Sequence, residues 1–186
     1  LRTLATSALL HDVGKLFAQE ENEHVNLGRK ILRRQSDIDA MTLKAVYQHH
    51  EHWDGTGYPE GVSGQDICQD ARILAVTNSF DHMSANSKYP MEEVIEYLMA
   101  LSGNQFEPEI VRSFLNCVSL YPVGTKVELN TGEKGVVVKS NRGFPTRPVI
   151  RIVKSQYGPI QPSYEIDLTA HPTYFVKNKL DDSAED

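Results

Sequence analysis

The fold of this chain is decided by the stretch ALLHDVGK, residues 8–15. Before and within it, apolar residues recur every three or four positions, at Leu1, Leu4, Ala5, Ala8 and Leu9. This spacing predicts an amphipathic helix whose apolar stripe leads directly into His11 and Asp12. An imidazole and a carboxylate side by side at a helix end can present nitrogen and oxygen donors to one pocket.

The helical pattern continues through the first two thirds of the chain. One apolar repeat predicts a helix that begins after Ser36 or Asp39, either of which can cap it. Another repeat predicts a helix over residues 73–84. Two later helices are predicted to start near Pro90 and Pro108, because a proline in the first turn costs a helix least.

A long loop is predicted between these helices, over residues 50–70. Gly55, Gly57, Pro59, Gly61 and Gly64 crowd this stretch, which is too rich in glycine to continue a helix. Loops of this length inside a helical domain are more often functional than mere connections.

Beyond Tyr121 the period of the apolar residues changes from helical to two. Three short strands are predicted, over residues 126–130, 136–138 and 149–153. We therefore expect a mainly α protein in three parts. These are a helical bundle (1–120), a small β-barrel-like or curled-sheet module (121–176), and an acidic, disordered tail (177–186).

Composition limits the possible partners of the chain. A net charge of −6 argues against binding to a nucleic acid polymer, because such surfaces need clustered cations, whereas a small anion held by metals is still allowed. No apolar stretch approaches the roughly 18 to 20 residues that a membrane span needs.

Two cysteines far apart, Cys68 and Cys117, favour reduced thiols and a cytoplasmic location. The first ten residues have the pattern of a helix interior without a leading Met, which indicates a fragment of a longer chain.

Histidines are concentrated in the first 82 residues, which contain His11, His24, His49, His50, His52 and His82. Imidazole and carboxylate are the usual ligands of iron, manganese or zinc, so this concentration predicts a metal site in which Asp12 bridges two ions. Paired metals suit phosphodiester cleavage, because they lower the pKa of water and stabilise charge on phosphorus. Lys15 follows His11 by one turn and can hold a phosphate oxygen, with Gly14 leaving space for that approach.

Structural explanations compete with these functional ones. A lone histidine such as His82 is more often a hydrogen-bonded structural residue than a ligand. His52 has the place of an exposed helix end, and Tyr58 can simply pack under the glycine-rich loop.

Three motifs, in this order, resemble the signature of the HD-GYP family, a branch of the HD metal-dependent phosphohydrolases. They are His-Asp-Val-Gly-Lys (11–15), His-His-Glu (49–51) and Asp-Gly-Thr-Gly-Tyr-Pro (54–59), and the resemblance runs from about Leu4 to Tyr121. It implies a helical HD core and a site with two or more metals, iron or manganese. It also implies hydrolysis of cyclic di-GMP to a linear dinucleotide or GMP.

The resemblance also implies roles for individual residues. The implied metal ligands are His11, Asp12, His24, His49 and His50. Asp12 and Lys15 are the implied catalytic residues, with Lys15 contacting the phosphate. The implied substrate mouth, which also contacts GGDEF-domain partners, is formed by Asp54, Gly55, Gly57, Tyr58 and Pro59.

The sequence departs from the family pattern at several positions. Asn78 stands where the family has a final carboxylate ligand, and it is either a weak ligand or a hydrogen-bonded core amide. The segment between Lys15 and His24 is short. An arginine typical of the following region is missing around Ser87, so Lys88 is the remaining candidate for a phosphate contact.

These observations lead to one main functional hypothesis and two alternatives. The main hypothesis is a cyclic di-GMP phosphodiesterase. The first alternative is a degenerate module that binds cyclic di-GMP or a GGDEF-domain protein without catalysis, which Asn78 and Ser87 favour. The second is an HD phosphohydrolase acting on another nucleotide, which the fold alone does not exclude.

Overall fold

Six α-helices precede five β-strands in the computed structural model, which describes residues 1–85 and 89–180. The helices are α1 (Arg2–Leu10), α2 (His24–Leu32), α3 (Ala40–Gln48), α4 (Gln69–Ser84), α5 (Met91–Ala100) and α6 (Pro108–Cys117). The strands are β1 (Lys126–Leu129), β2 (Lys134–Asn141), β3 (Phe144–Ser155), β4 (Gly158–Asp167) and β5 (Val176–Lys179). The chain divides into two units, Leu1–Val111 and the part from Arg112 onward. The prediction of a mainly helical domain followed by a curled sheet is confirmed.

Helix α1 forms as predicted, but the predicted apolar stripe is not its buried face. Leu9 is 85% exposed and Leu1 is fully exposed. Ser7 is buried instead, because its hydroxyl donates a hydrogen bond to the Thr3 carbonyl, 2.9 Å away, within the helix. Leu4 alone of the stripe packs against the core. The helix and its position before His11 are thus as predicted, while most of its apolar stripe is exposed.

The predicted starts of the later helices agree with the structure. The Asp39 carboxylate caps α3 by accepting a hydrogen bond from the Thr42 amide at 2.8 Å. Pro90 precedes the first residue of α5, and Pro108 is the first residue of α6. These prolines occupy places where a missing amide hydrogen breaks no helical hydrogen bond.

One cluster in the core of the first unit joins α3 to α4. Its buried members are Ala45, Ile67, Cys68, Ala71 and Leu74. Small side chains on both helices allow their backbones to approach closely. This packing fixes the end of α3, where His49 and His50 follow, against the rest of the helical unit.

Gly14 has a different role from the one predicted. A β-carbon at this position would lie 1.9 Å from the carbonyl oxygen of His24 and 2.7 Å from the amide nitrogen of Gly28. The space around Gly14 is thus filled by the backbone of α2, and none is left for a phosphate to approach. This contact holds the 3-10 turn Val13–Leu16 against α2.

The second unit contains one antiparallel sheet with strand order β4-β3-β2-β1-β5. Its buried face carries Val127, Leu129, Val137, Ile150 and Ile152. The sheet is open, because β4 and β5 stand at opposite edges. Strands β4 and β5 were not predicted from the sequence, since β4 has one buried side chain, Ile166, and β5 (VKNK) is largely polar.

Some sequence predictions concern residues near or beyond the ends of the described ranges. Ser87, Lys88 and residues 181–186 lie outside the described residues. Residues 177–179 of the predicted tail lie in β5. The predicted boundary near residue 120 stays a prediction. Within the described part of the chain, no helix combines the length and apolar character needed to cross a membrane.

We expect Gly14→Ala to destabilise the helical unit by about 3 kcal/mol or more, because the added methyl group meets backbone atoms that cannot move independently. Chemical denaturation of the purified protein measures this. Gly28→Ala is the matched control, since its β-carbon would lie 3.3 Å from a side-chain methyl group of Val46 and no closer than 3.5 Å to the amide nitrogen of Gly14. Equal losses from the two variants would contradict the assigned contact.

Candidate metal centre

Four side chains from separate parts of the helical unit converge on one point. Asp12 follows α1, His24 begins α2, and His49 and His50 follow α3. Each offers one ligand atom, and the four atoms all lie within 4.8 Å of one another. Residues that are up to 38 positions apart in sequence thus meet, and four of the residues predicted as ligands are among them.

Three histidines are oriented by the same kind of hydrogen bond. In each, ring Nδ1 lies against the carbonyl oxygen of the residue three positions earlier: His11 against Ala8 at 2.9 Å, His49 against Val46 at 2.8 Å, and His24 against Glu21. A carbonyl oxygen can only accept, so the hydrogen is on Nδ1. In the neutral ring Nε2 then carries a lone pair, and it is available as a ligand atom.

The ligand atoms lie close together, and when the rings of His24 and His49 are neutral with their hydrogen on Nδ1, no hydrogen lies between them. His24 Nε2 is 3.4 Å from His49 Nε2 and 3.5 Å from Asp12 Oδ1. Two ligands of one ion, each about 2.1 Å from it, are separated by roughly 3.0 to 3.4 Å. Lone pairs at these distances repel one another unless a cation lies among them.

Two further observations fit a cation at this point. Asp12 Oδ1 and His50 Nε2 are buried and form no hydrogen bond with any described residue. Buried polar atoms in proteins nearly always have a partner. The donor set of imidazole nitrogens and a carboxylate oxygen therefore fits a divalent metal.

The two oxygens of Asp12 face different neighbours. Oδ1 lies toward His24 and His49, whereas Oδ2 is 3.4 Å from His11 Nε2 and 2.7 Å from Lys15 Nζ. The carboxylate thus stands between two sets of donors. His11 and the group of three other histidines approach it from the sides of different oxygens.

The protein environment favours the protonation states that a metal needs. Burial, together with the charges of His49 and His24, lowers the pKa of His50 to about 3. Burial also lowers the pKa of His49, although its contact with Asp12 opposes this. Burial alone would raise the pKa of Asp12, but its contacts with His49 and Lys15 hold it well below its usual range. His49 and His50 are therefore neutral and the carboxylate is ionised at neutral pH.

The predicted loop forms one wall of the site. The Tyr58 ring stacks on the His50 ring, with centroids 4.8 Å apart and planes inclined by 13°. Gly57 makes this possible, because a β-carbon there would lie 2.5 Å from the His50 carbonyl oxygen. Asp54 shapes the loop from within by accepting hydrogen bonds from the amide and hydroxyl of Thr56.

Glu51 is a site residue whose role the sequence did not reveal. Its side chain is buried, and its two oxygens accept hydrogen bonds from the amides of Glu60 at 2.7 Å and Gly61 at 3.0 Å. The far end of the loop is thereby tied to the residue that directly follows His50. The only signal in the sequence is a carboxylate beside the histidine pair, and this does not specify backbone amides as partners.

The remaining predicted residues lie away from the converging atoms. His52 is half-buried rather than an exposed helix end, and its ring pairs with the Thr56 hydroxyl at 3.0 Å. His82 is exposed on α4, so it is not a buried structural histidine. Asn78 is half-buried on the same helix, and its role as a weak ligand stays a prediction.

Comparison with protein families matches residues 1–110 to the HD domain. The chain belongs to the HD domain family. Residues 126–184 match a second family, described as a KOW domain associated with the HD domain. The predicted small β-module therefore has a counterpart in other HD proteins. The prediction of a divalent-metal site agrees with this family and with the cluster around Asp12.

Several curated proteins resemble this chain. It is 27% identical to a cyclic di-GMP phosphodiesterase of Pseudomonas aeruginosa, over 90% of this chain and 45% of that protein. It is 35% identical to one of Thermotoga maritima, over 59% of this chain and 35% of the relative. It is 39% identical to a 3'3'-cGAMP-specific phosphodiesterase of Vibrio cholerae, over 58% of this chain and 22% of the relative. The chain thus spans less than half the length of each of these relatives.

A solved structure supports the same fold. An HDG"Y"P protein from Bdellovibrio bacteriovorus superposes with a TM-score of 0.52 at 20% identity, covering 60% of this chain and 41% of that one. At this identity the likeness shows the fold alone, and it agrees with the predicted HD-type helical domain.

We expect His50→Ala to lower the metal content of the purified protein, because it removes a buried nitrogen that has no other partner among the described residues. Loss of one ligand typically weakens metal binding by about tenfold or more. Elemental analysis after equilibration with limiting Mn²⁺ measures this. His52→Ala is the matched control, and an equal loss in both variants would contradict the assignment.

Proposed function

We propose that this HD domain is a metal-dependent phosphodiesterase that hydrolyses cyclic di-GMP. The observation that carries the proposal is the convergence of His24 and of the neutral His49 and His50 on the ionised Asp12, which places four potential metal ligands within 4.8 Å of one another. The named activities of the Pseudomonas and Thermotoga relatives support it. The reaction adds water across one phosphodiester bond to give a linear dinucleotide, and a second addition gives GMP.

In this proposal Asp12 would contribute its carboxylate to both metal ions. Its Oδ1 side would share one ion with His24, His49 and His50, and its Oδ2 side would share the other with His11. The donors are nitrogen and oxygen without thiolate, which suits iron or manganese. When bound, such ions lower the pKa of water and stabilise negative charge on phosphorus.

Lys15 is proposed to hold a phosphate oxygen of the substrate. Its ammonium group pairs with Asp12 Oδ2 at 2.7 Å, and about half of the side chain is exposed. The group therefore stands at the edge of the cluster, where it can turn from the carboxylate to an incoming phosphate. As a point charge on a flexible stem, it can follow the phosphate as negative charge develops.

The loop with Asp54, Gly55, Gly57, Tyr58 and Pro59 is proposed to shape the substrate mouth. Tyr58 covers one face of His50, so the loop limits access to the cluster from that side. Burial raises the pKa of Tyr58 to about 12, so its hydroxyl remains a hydrogen-bond donor at neutral pH. We propose that the outer side of this loop also contacts GGDEF-domain proteins.

We also propose that the reaction takes place in the cytoplasm. Both cysteines have free thiols, Cys68 in the core and Cys117 at the surface. This fits a reducing compartment.

The activity is tested with protein purified anaerobically and loaded with Fe²⁺ or Mn²⁺. We expect conversion of cyclic di-GMP to linear product by chromatography, at a higher kcat/KM than for 3'3'-cGAMP. Lys15→Gln should lower kcat/KM by about tenfold to a hundredfold, the equivalent of a hydrogen bond to a charged group, while the metal content is retained. A metal-loaded protein that leaves both dinucleotides intact would falsify the proposal.

Asn78→Asp tests whether α4 contributes a ligand. A carboxylate adds a negative charge and a stronger oxygen donor, so we expect higher metal occupancy at limiting metal and higher turnover. Thr77→Asp is the control on the same helix, because the Thr77 hydroxyl donates to the Ile73 carbonyl within α4. If Asn78→Asp changes neither quantity, Asn78 is not a ligand position.

A further inference from the structure

A cavity lies between α2 and α3, with Glu60 of the loop also in its lining. Its volume is about 380 Å³, within the range of small-molecule sites. We call it the α2–α3 groove. The residues that define it are Arg29, Arg33, Lys44, Tyr47, Gln48 and Glu60.

The groove is basic although its domain is acidic. Residues 1–111 contain more acidic than basic side chains, yet Arg29, Arg33 and Lys44 line one cavity, and Lys30 and Arg34 adjoin it. Among the described residues, no carboxylate forms an ion pair with any of these five. Clustered cations without carboxylate partners form a site for an anion.

The helix dipole explains only part of this cluster. Arg29 and Lys30 lie in the last turn of α2, where cations are favourable. Lys44 comes from the middle of α3, and its ammonium donates to the Asp66 carbonyl at 3.4 Å. Cations from two helices therefore meet across the groove, which the dipole of one helix does not require.

The groove also offers a planar surface. The guanidinium carbon of Arg29 lies 4.3 Å from the centroid of the Tyr47 ring. Guanidinium groups and aromatic rings are the side chains on which nucleobases stack. A ligand with a flat ring and a phosphate matches both properties of the groove.

A hydrogen-bond acceptor, the carboxylate of Glu60, lies at the end of the groove next to the loop. The buried Gln48 amide donates to Glu60 Oε2 at 3.4 Å, while its own oxygen accepts from the Cys68 amide at 3.0 Å. Glu60 is exposed and keeps most of its acceptor capacity. A carboxylate can accept from two adjacent N–H groups, and guanine presents such a pair on one edge, including its exocyclic amine.

We propose that the α2–α3 groove binds a guanine mononucleotide. Arg33 and Lys44 hold the phosphate, the base stacks beside Arg29 and Tyr47, and Glu60 accepts from the N–H edge of the base. This site is distinct from the metal cluster, because Gln48 directs its side chain toward Cys68 and Glu60. The inference goes beyond the proposed function and does not depend on hydrolysis.

The test is calorimetric titration of the metal-depleted full chain with GMP, CMP and inorganic phosphate. We expect GMP to bind at least about tenfold more tightly than the other two. Arg33→Gln and Tyr47→Leu should each weaken GMP binding by about tenfold, the equivalent of one charge-assisted contact. Arg34→Gln is the matched control, since it removes the same charge from the same end of α2 but outside the groove.

Glu60→Gln separates base recognition from phosphate binding. It should remove most of the preference for GMP over CMP and leave phosphate binding unchanged. Equal affinity for GMP and inorganic phosphate, or equal losses from Arg33→Gln and Arg34→Gln, would overturn the proposal in favour of a diffuse basic surface. Because no metal is present, a protein inactive on cyclic di-GMP can still pass this test.

Discussion

The metal centre depends on one constraint, the repulsion among lone pairs that the fold brings together around Asp12. Backbone carbonyls place a hydrogen on Nδ1 of His11, His24 and His49, so in the neutral form of each ring Nε2 turns a lone pair toward the carboxylate. Elsewhere in a protein this arrangement would be unfavourable. Here the packing of α2 and α3 holds it in place, as expected when a site is formed before its ion arrives.

The ligand set could be predicted from the sequence because metal chemistry restricts the residue types so strongly. His11, His24 and the adjacent pair His49 and His50 come from three separate stretches of the chain, and a shared metal site explains all of them together. The starts of three helices could also be predicted from the sequence, because they are marked by Asp39, Pro90 and Pro108.

Other features could not be predicted, because they depend on contacts between distant backbone atoms. Gly14 is required by the carbonyl of His24, and Glu51 by the amides of Glu60 and Gly61; no local pattern shows either partner. The exposure of the apolar side of α1 could not be predicted for a related reason. The spacing of residues shows which side of a helix is apolar, but not whether the fold covers that side. The net charge of the chain gave no indication of the basic α2–α3 groove, because a total over all residues does not show where cations cluster.

The hydrogen bonds of Glu51 have a consequence for how the site responds to whatever touches its rim. Glu51 is joined covalently to His50 and by two hydrogen bonds to the backbone at Glu60 and Gly61, so the loop and the ligand helix form a closed ring of chain. A partner that tilts this ring displaces the imidazole of His50 with it. A contact at the protein surface can in this way change the affinity of the site for a metal ion without touching the ion.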